Sequence, residues 1–185
     1  MKNLVFIVNG KPNSGKDTFT EKFFDYININ NNVNYLHIST IDHIKDIAEY
    51  LFGWDGIKDV KGRKLLSDLK NASIDYNDGP FKYCINKINE HNKKTESIKN
   101  IVNISIVHCR EPKEIKKFVD HFGREICKTI LIYRKNFQQI ISNDSDKNVN
   151  NYVYDYTIHN DSSLSDFYKE IGQFSAYIMS QFKLY

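Results

Sequence analysis

The residues with the clearest chemical potential follow the first apolar run of the chain. That run ends at Gly10, and residues 10–18 read G-K-P-N-S-G-K-D-T, which contains the spacing G-x-x-x-x-G-K. Glycines at such positions let backbone N–H groups turn inward around phosphate oxygens, and the positive end of a following helix favours the same anion. Lys16 would reach the β- and γ-phosphates of a nucleoside triphosphate. The spacing predicts a phosphate-binding loop; the alternative is an ordinary turn between a strand and a helix, with a solvated lysine.

Asp17 occupies the position at which a serine or threonine usually coordinates Mg²⁺. A carboxylate also binds Mg²⁺, although it is longer than a hydroxyl and adds negative charge beside the phosphates. Thr18 does not simply replace the hydroxyl, because one step along a helix turns a side chain by about 100°. Asp17 is therefore the predicted metal residue, directly or through water. The alternative is an acidic residue favoured by the helix dipole in the first turn.

The elements that must position this loop alternate between strands and helices. Such alternation predicts an α/β fold of three layers, α/β/α, with helices on both faces of a mainly parallel five-stranded sheet. After the first strand and a helix starting at Asp17, we predict strands at residues 33–39, 101–107, 126–133 and 154–159. Further helices are predicted at residues 41–52, 63–76, 80–92, 111–122 and 164–182, the last capped by Ser162 or Ser163.

Ligands bind such sheets at the carboxyl ends of the strands, and these ends are unusually polar here. Arg110 and Arg134 directly follow strands, and Arg63 opens a helix. Arginine holds phosphate through two parallel hydrogen bonds, so these three are candidate phosphate residues; the alternative for each is a surface ion pair of little energetic value. Arg124 lies farther from the ligand edge. Three more candidates lie at the end of the second strand or just after it, namely Ser39, Asp42 and Lys45.

His108 ends the third strand, where enzymes with a phosphate-binding loop commonly hold an acid that organises Mg²⁺. Histidine is a poor ligand for Mg²⁺. Either Asp17 compensates or catalysis is weak. His37 and His159 are interpreted as half-buried strand residues, and Trp54 with most tyrosines as core residues.

The composition narrows the class of protein. The 185 residues predict one domain spanning 1–185, and a net charge of +3 argues against a dedicated nucleic-acid binder. Three cysteines, Cys84, Cys109 and Cys127, have no metal-binding spacing and are interpreted as reduced thiols. No apolar stretch reaches the length of a membrane span, and the early break at residues 10–13 is unlike a signal peptide. We therefore expect a cytoplasmic protein that binds neither nucleic acid nor membrane.

The pattern resembles the phage-type deoxynucleoside monophosphate kinases, and the G-K-D of its loop is similar to that of animal phosphomevalonate kinases. The likeness continues in order along most of the chain. It comprises S-T-I-D-H-I-K at residues 39–45, G-R-K-L-L at 62–66, R-E-P-K-E at 110–114 and Y-D-Y-T-I-H-N-D at 154–161, followed by Ser163-Leu164. The D-x-R of that family, at the end of the third strand, reads His108-Cys109-Arg110 here.

The resemblance implies an adenylate-kinase-like enzyme that transfers the γ-phosphoryl group of ATP, with Mg²⁺, to a nucleoside monophosphate. It implies an acceptor-binding helical region at about 40–95, and we expect a lid at about 134–151, whose loop 142–151 is polar and lacks apolar anchors. Two alternatives stay open, a kinase of another phosphorylated acceptor such as phosphomevalonate and a non-catalytic nucleotide-binding module. A monomer or a homodimer is expected.

The expected roles fall into three sets. The nucleotide set comprises Gly10, Lys11, Pro12, Asn13, Ser14, Gly15, Lys16, Asp17, Thr18, Arg134, Asn160 and Asp161. The acceptor set comprises Ser39, Asp42, Lys45, Arg63 and Arg110. The catalytic set comprises Lys16, Arg110 and Arg134.

Overall fold

Strands and helices alternate in the computed structural model, which describes residues 2–28, 32–135 and 148–184. The strands are β1 (Lys2–Asn9), β2 (Val33–Ser39), β3 (Val102–His108), β4 (Cys127–Tyr133) and β5 (Tyr156–His159). The helices are α1 (Lys16–Ile27), α2 (Asp42–Phe52), α3 (Val60–Asn77), α4 (Gly79–Lys93), α5 (Pro112–Phe122) and α6 (Leu164–Phe182), with a short 3-10 turn at Asn148–Asn151.

The five strands form one sheet in the order β2-β3-β1-β4-β5, and every neighbouring pair is parallel. Of the three inner strands, β1 and β3 are buried along most of their length, which is why they read as near-continuous apolar runs in the sequence. Val8 and Ser39 both lie beside His108 in the register, so the carboxyl ends of β1, β2 and β3 share one edge.

Each face of the sheet carries its own helical layer. On one face α1 and α6 bury an aromatic cluster that includes Phe6, Phe19 and Phe23. On the other face α4 and α5 cover Ile7 and Val107, among other residues. The predicted three-layer α/β/α fold with a parallel five-stranded sheet is confirmed.

The helices between β2 and β3 carry a smaller core of their own, built on Ile44, Ala48 and Leu66, with Trp54 packed against it. Helix α3 begins three residues earlier than predicted, because the Asp59 carboxylate accepts from the backbone N–H of Gly62 at 2.7 Å and caps the helix. Arg63 therefore lies within the first turn rather than opening the helix. None of the helices in the described ranges has both the length and the apolar character needed to cross a bilayer.

Two other predictions concern cysteines and the lid. All three cysteines are buried thiols, and burial raises the pKa of Cys84 and of Cys127 to about 12, so both are unreactive.

Most of the expected lid, residues 136–147, lies outside the described residues. The expectation that loop 142–151 lacks an apolar anchor is wrong for its described end, because Val149 is only 1% exposed.

Candidate functional site

The loop between β1 and α1 has a conformation that depends on its glycines. Gly15 adopts φ 100°, in the left-handed region, and Asn13 also has a positive φ of 58°. A Cβ atom on Gly10 would stand 2.6 Å from the carbonyl oxygen of Ile132, so the loop passes too close to β4 for any side chain at residue 10. Helix α1 begins directly at Lys16. The loop thus leads directly into a helix N-terminus, the arrangement that phosphate-binding loops use.

The loop is supported from the end of β5. Asn160 is 8% exposed, and its side-chain N–H donates to the carbonyl oxygen of Ser14 at 2.9 Å. Asp161, by contrast, accepts from the backbone N–H of Lys135 and lies 3.2 Å from Nδ1 of His159. The sequence suggested that Asn160 and Asp161 border a base. The structure places Asn160 as a support of the loop between β1 and α1.

Replacing Gly15 by alanine is expected to lower the free energy of unfolding by about 2 kcal/mol, because left-handed backbone is costly for a residue with a Cβ. That Cβ would also stand 2.7 Å from Nδ2 of Asn160. The matched control is Gly172→Ala in α6, where the nearest atom outside the helix is a Tyr26 ring carbon at 3.7 Å. The control should be neutral or stabilising. Urea unfolding of both variants checks this, and equal effects would contradict the role assigned to Gly15.

Lys16 lies folded over the loop. Its ammonium donates to the carbonyl oxygens of Gly10 at 2.7 Å and Lys11 at 2.8 Å, and Arg134 donates to the carbonyl oxygen of Asn13 at 3.3 Å. Ser14 is 2% exposed, and its hydroxyl has no hydrogen-bond partner among the described residues. A buried hydroxyl without a hydrogen-bond partner is a candidate to bond an oxygen of a ligand.

A cavity of about 350 Å³ opens beside the loop. It brings together most of the predicted nucleotide residues. Its lining comprises Asn13, Gly15, Lys16, Asp17, Thr18, Arg134 and Asn160, with Ser162, Leu164 and Phe167.

Four cations lie within electrostatic range of one another near the ends of β2 and β3; three of them were predicted to hold the acceptor and one, Lys58, was missed. Partial burial lowers the pKa of Lys58, and the neighbouring charges of Lys45, Arg110 and Arg63 lower it further. Arg63 also donates from Nε to the carbonyl oxygen of Lys58 at 2.7 Å. Lys58 was missed because it lies in the connection before α3, within no motif; its one signal was its nearness to Gly62-Arg63. Like charges held this close favour a polyanionic ligand.

Asp42 holds Lys45 of this cationic group in place beside the end of β2. Its carboxylate accepts from the backbone N–H of Ser39 at 2.7 Å and from the ammonium of Lys45 at 2.8 Å. The three residues predicted at and after the end of β2 thus lie together. Arg124, which the sequence placed far from the site, is 3.4 Å from Asp155.

His108 lies between the loop and the cationic group. Its Nε2 is 3.0 Å from Oγ1 of Thr20, and its Nδ1 is 3.3 Å from Nε2 of His37 and 3.5 Å from a carboxylate oxygen of Asp17. Burial, followed by the charges of His37 and three nearby cations, lowers the pKa of His108 to about 2. Those cations are Lys16, Arg110 and Lys45. The imidazole of His108 is therefore neutral at any physiological pH.

His37 and His159 lie on the edge strands β2 and β5, where part of each side chain stays in water. The His159 side chain is 53% exposed, which agrees with its interpretation as a half-buried strand residue. The ring of His37 packs on His108 with 4.3 Å between ring centroids, and partial desolvation lowers its pKa.

Asn9 joins the loop to the segment after β3. Its side-chain oxygen accepts from the backbone N–H of Gly10 at 2.7 Å. Its side-chain N–H group donates to the carbonyl oxygen of Arg110 at 3.0 Å and to the hydroxyl of Tyr154 at 2.6 Å. Sequence reasoning missed Asn9, although a polar residue that closes an apolar strand is a signal that could have found it.

Glu114 fastens the same segment to the helical region. It is 6% exposed, and its carboxylate pairs with the ammonium of Lys70 in α3 at 2.9 Å and lies 3.6 Å from the sulfur of Cys109. The backbone around Arg110 is thus held from two directions, by Asn9 and by Glu114.

Comparison with known proteins concerns the fold. No family model matches the sequence, and no curated protein matches it significantly. Among solved structures, a shikimate kinase from Aquifex aeolicus is 15% identical, with a TM-score of 0.42, over 94% of this chain and 96% of that one. A thymidylate kinase from Ehrlichia chaffeensis is 13% identical, with a TM-score of 0.46, over 97% and 100%. The resemblance to the phage-type family is not confirmed by these matches and stays a prediction.

Proposed function

We propose that this protein transfers the γ-phosphoryl group of ATP to a small phosphorylated acceptor, a nucleoside or deoxynucleoside monophosphate. One observation carries the proposal. The Asn9 side chain bonds both the backbone N–H of Gly10 in the loop and the carbonyl oxygen of Arg110, so the loop that leads to Lys16 and the segment that carries Arg110 adjoin at the strand ends. Two adjoining anion sites are what a reaction between two phosphorylated substrates requires.

The arrangement supports the chemistry through charge and position. The loop N–H groups and Lys16 would hold the β- and γ-phosphates, while Arg110 with its neighbouring cations would hold the acceptor phosphate. An acceptor phosphate oxygen attacks the γ-phosphorus, and the bond to the bridging oxygen of ADP breaks. A phosphate monoester is largely dianionic at neutral pH, so its oxygen needs no general base. The neutral His108 is consistent with this, because no proton has to be removed.

The side-chain atoms next to the loop that could bind a metal fit Mg²⁺ only in part. Asp17 offers a carboxylate whose side chain is 85% exposed, and oxygen is the ligand that Mg²⁺ prefers. The neighbouring imidazole nitrogens are poor ligands for it. Mg²⁺ bound with ATP would neutralise charge on the β- and γ-oxygens, and Asp17 is the residue of this chain that would hold it.

A phosphoryl-transfer assay over a panel of nucleoside monophosphates, with phosphomevalonate included, tests the proposal. We expect ADP to form only with one or a few monophosphates. If ADP formed with phosphomevalonate alone, the acceptor would be phosphomevalonate and not a nucleoside monophosphate. A failure to bind ATP at all would overturn the proposal.

A second candidate is a non-catalytic nucleotide-binding module. It is favoured by the neutral His108 at the strand end where an acid would organise Mg²⁺. ATP binding without ADP formation across the panel would support this candidate over the kinase.

Replacing Arg110 by lysine should lower kcat/KM for the acceptor by about tenfold, because lysine keeps the charge but loses the paired hydrogen bonds to phosphate. The dissociation constant of ATP should stay nearly unchanged. The matched control is Arg124→Lys, since Arg124 pairs with Asp155 away from the cationic group. Steady-state kinetics check the prediction, and unaltered acceptor kinetics in Arg110→Lys would remove this residue from the site.

A further inference from the structure

Three side chains with metal-binding atoms converge beside the phosphate-binding loop. They are Asp17, His37 and His108, and one ligand atom from each lies within 4.8 Å of the other two. The residues come from three different elements, the first turn of α1 and strands β2 and β3. Nothing in the phosphoryl-transfer chemistry proposed above uses the two imidazoles.

The sheet register explains why the two histidines meet. Ser39 lies directly beside His108 in the parallel pair, so His37 precedes that position by two residues. Residues two apart on a strand point to the same face, and His37 therefore shares a face with His108. Helix α1 packs on this face, which brings Asp17 to the same point.

His108 is also oriented as a metal ligand would be. Its Nε2 is 3.0 Å from the hydroxyl oxygen of the buried Thr20. With the proton on Nε2, His108 donates to Thr20 and keeps the lone pair of Nδ1 directed at Asp17 and His37. A hydrogen bond from the second ring nitrogen is the usual way in which proteins orient a ligating histidine.

Two of the three distances between the ligand atoms match a tetrahedral transition-metal ion. Two nitrogen or oxygen ligands on a tetrahedral ion, each about 2.0–2.1 Å from it, lie about 3.3–3.4 Å apart. The distances from Nδ1 of His108 are 3.3 Å to Nε2 of His37 and 3.5 Å to the Asp17 oxygen. Two imidazoles with one carboxylate suit Zn²⁺ and similar ions better than Mg²⁺.

We propose that Asp17, His37 and His108 form a three-ligand site for a divalent transition-metal ion of the zinc type. The remaining coordination position is left for water. Both imidazoles bind as neutral ligands, and the proton that His37 shares with His108 moves to the other nitrogen of His37 through solvent. The positive charges of Lys16, Lys45 and Arg110 oppose the ion, and the carboxylate of Asp17 offsets part of that repulsion.

Titration of the full-length protein with Co²⁺ in the absence of nucleotide, followed by visible absorption, tests the site. Co²⁺ reports its ligands spectroscopically and can be displaced by Zn²⁺. We expect one Co²⁺ per chain, displaced by Zn²⁺ and not by excess Mg²⁺. His37→Ala and Asp17→Asn should each weaken Co²⁺ binding at least about tenfold. Both residues are exposed, so these variants should fold, whereas His108→Ala removes a side chain that is only 11% exposed.

The matched control is His121→Ala, which removes an exposed histidine on α5 that contacts only the rings of Phe81 and Phe122 among the ring pairs described. It should bind Co²⁺ like the parent. Absence of saturable Co²⁺ binding, wild-type binding in both ligand variants, or the intense near-ultraviolet bands of a thiolate ligand would each overturn the proposal. Since nucleotide is absent, the result does not depend on the kinase activity, and either proposal can fail alone.

Discussion

Replacing Lys16 by alanine is expected to weaken ATP binding at least about tenfold, because a charge-assisted contact to phosphate contributes about 1.5–3 kcal/mol. Turnover should fall further, by about 10²–10³-fold, since the same ammonium faces charge that develops in the transition state. The Lys16 ammonium already lies over the loop, within 2.8 Å of two of its carbonyl oxygens. Calorimetry measures the binding, and the coupled assay of ADP formation measures turnover.

The matched control removes the same charge from the same helix. Lys22 lies on α1 in an exposed ion pair with Asp25, away from the loop. Lys22→Ala should leave ATP affinity within about twofold, because surface ion pairs contribute little. Equal ATP affinities in the parent and in Lys16→Ala would refute the assignment of residues 10–18 as the nucleotide site.

Replacing Lys70 by alanine is expected to destabilise the fold by about 3 kcal/mol. Removal of one partner from a buried ion pair leaves the other charge without compensation. Here the Glu114 side chain is 8% exposed and that of Lys70 is 16% exposed, so water can reach the pair only slightly. The measurement is urea unfolding at neutral pH, where the carboxylate would have to be buried alone or take up a proton.

Helix α3 also supplies the control for this change. Lys64 pairs with Asp68 at 2.6 Å, but both side chains are largely exposed, at 73% and 61%. Lys64→Ala should change the free energy of unfolding by less than about 1 kcal/mol. If Lys70→Ala were no more destabilising than Lys64→Ala, Glu114 would not fasten α3 to the segment that carries Arg110. A second variant, Lys70→Met, keeps the apolar stem and separates lost packing from lost charge.

Much of the fold could be predicted from local patterns in the sequence. The strand from 33 to 39 and the helix from 164 to 182 were predicted with the bounds that the structure shows, and the other elements agree to within a few residues. Buried parallel strands read as continuous apolar runs, and the flanking helices carry their own periodicity, so both signals are local. Helix α3 departed most, since its cap at Asp59 lies outside the apolar pattern that defines the helix.

The candidate site shows the same difference between features set by local sequence and features set by tertiary contacts. The sequence by itself determined the conformation of the loop at residues 10–15, because glycine spacing sets backbone angles within a few residues and Lys16 follows directly. Only the tertiary structure decided that Lys58 joins Lys45, Arg63 and Arg110, and that His37 meets His108 although 71 positions separate them in the chain. A strand pattern shows which residues share a face, but strand order and register set which face meets which partner, and those depend on contacts along the whole sheet.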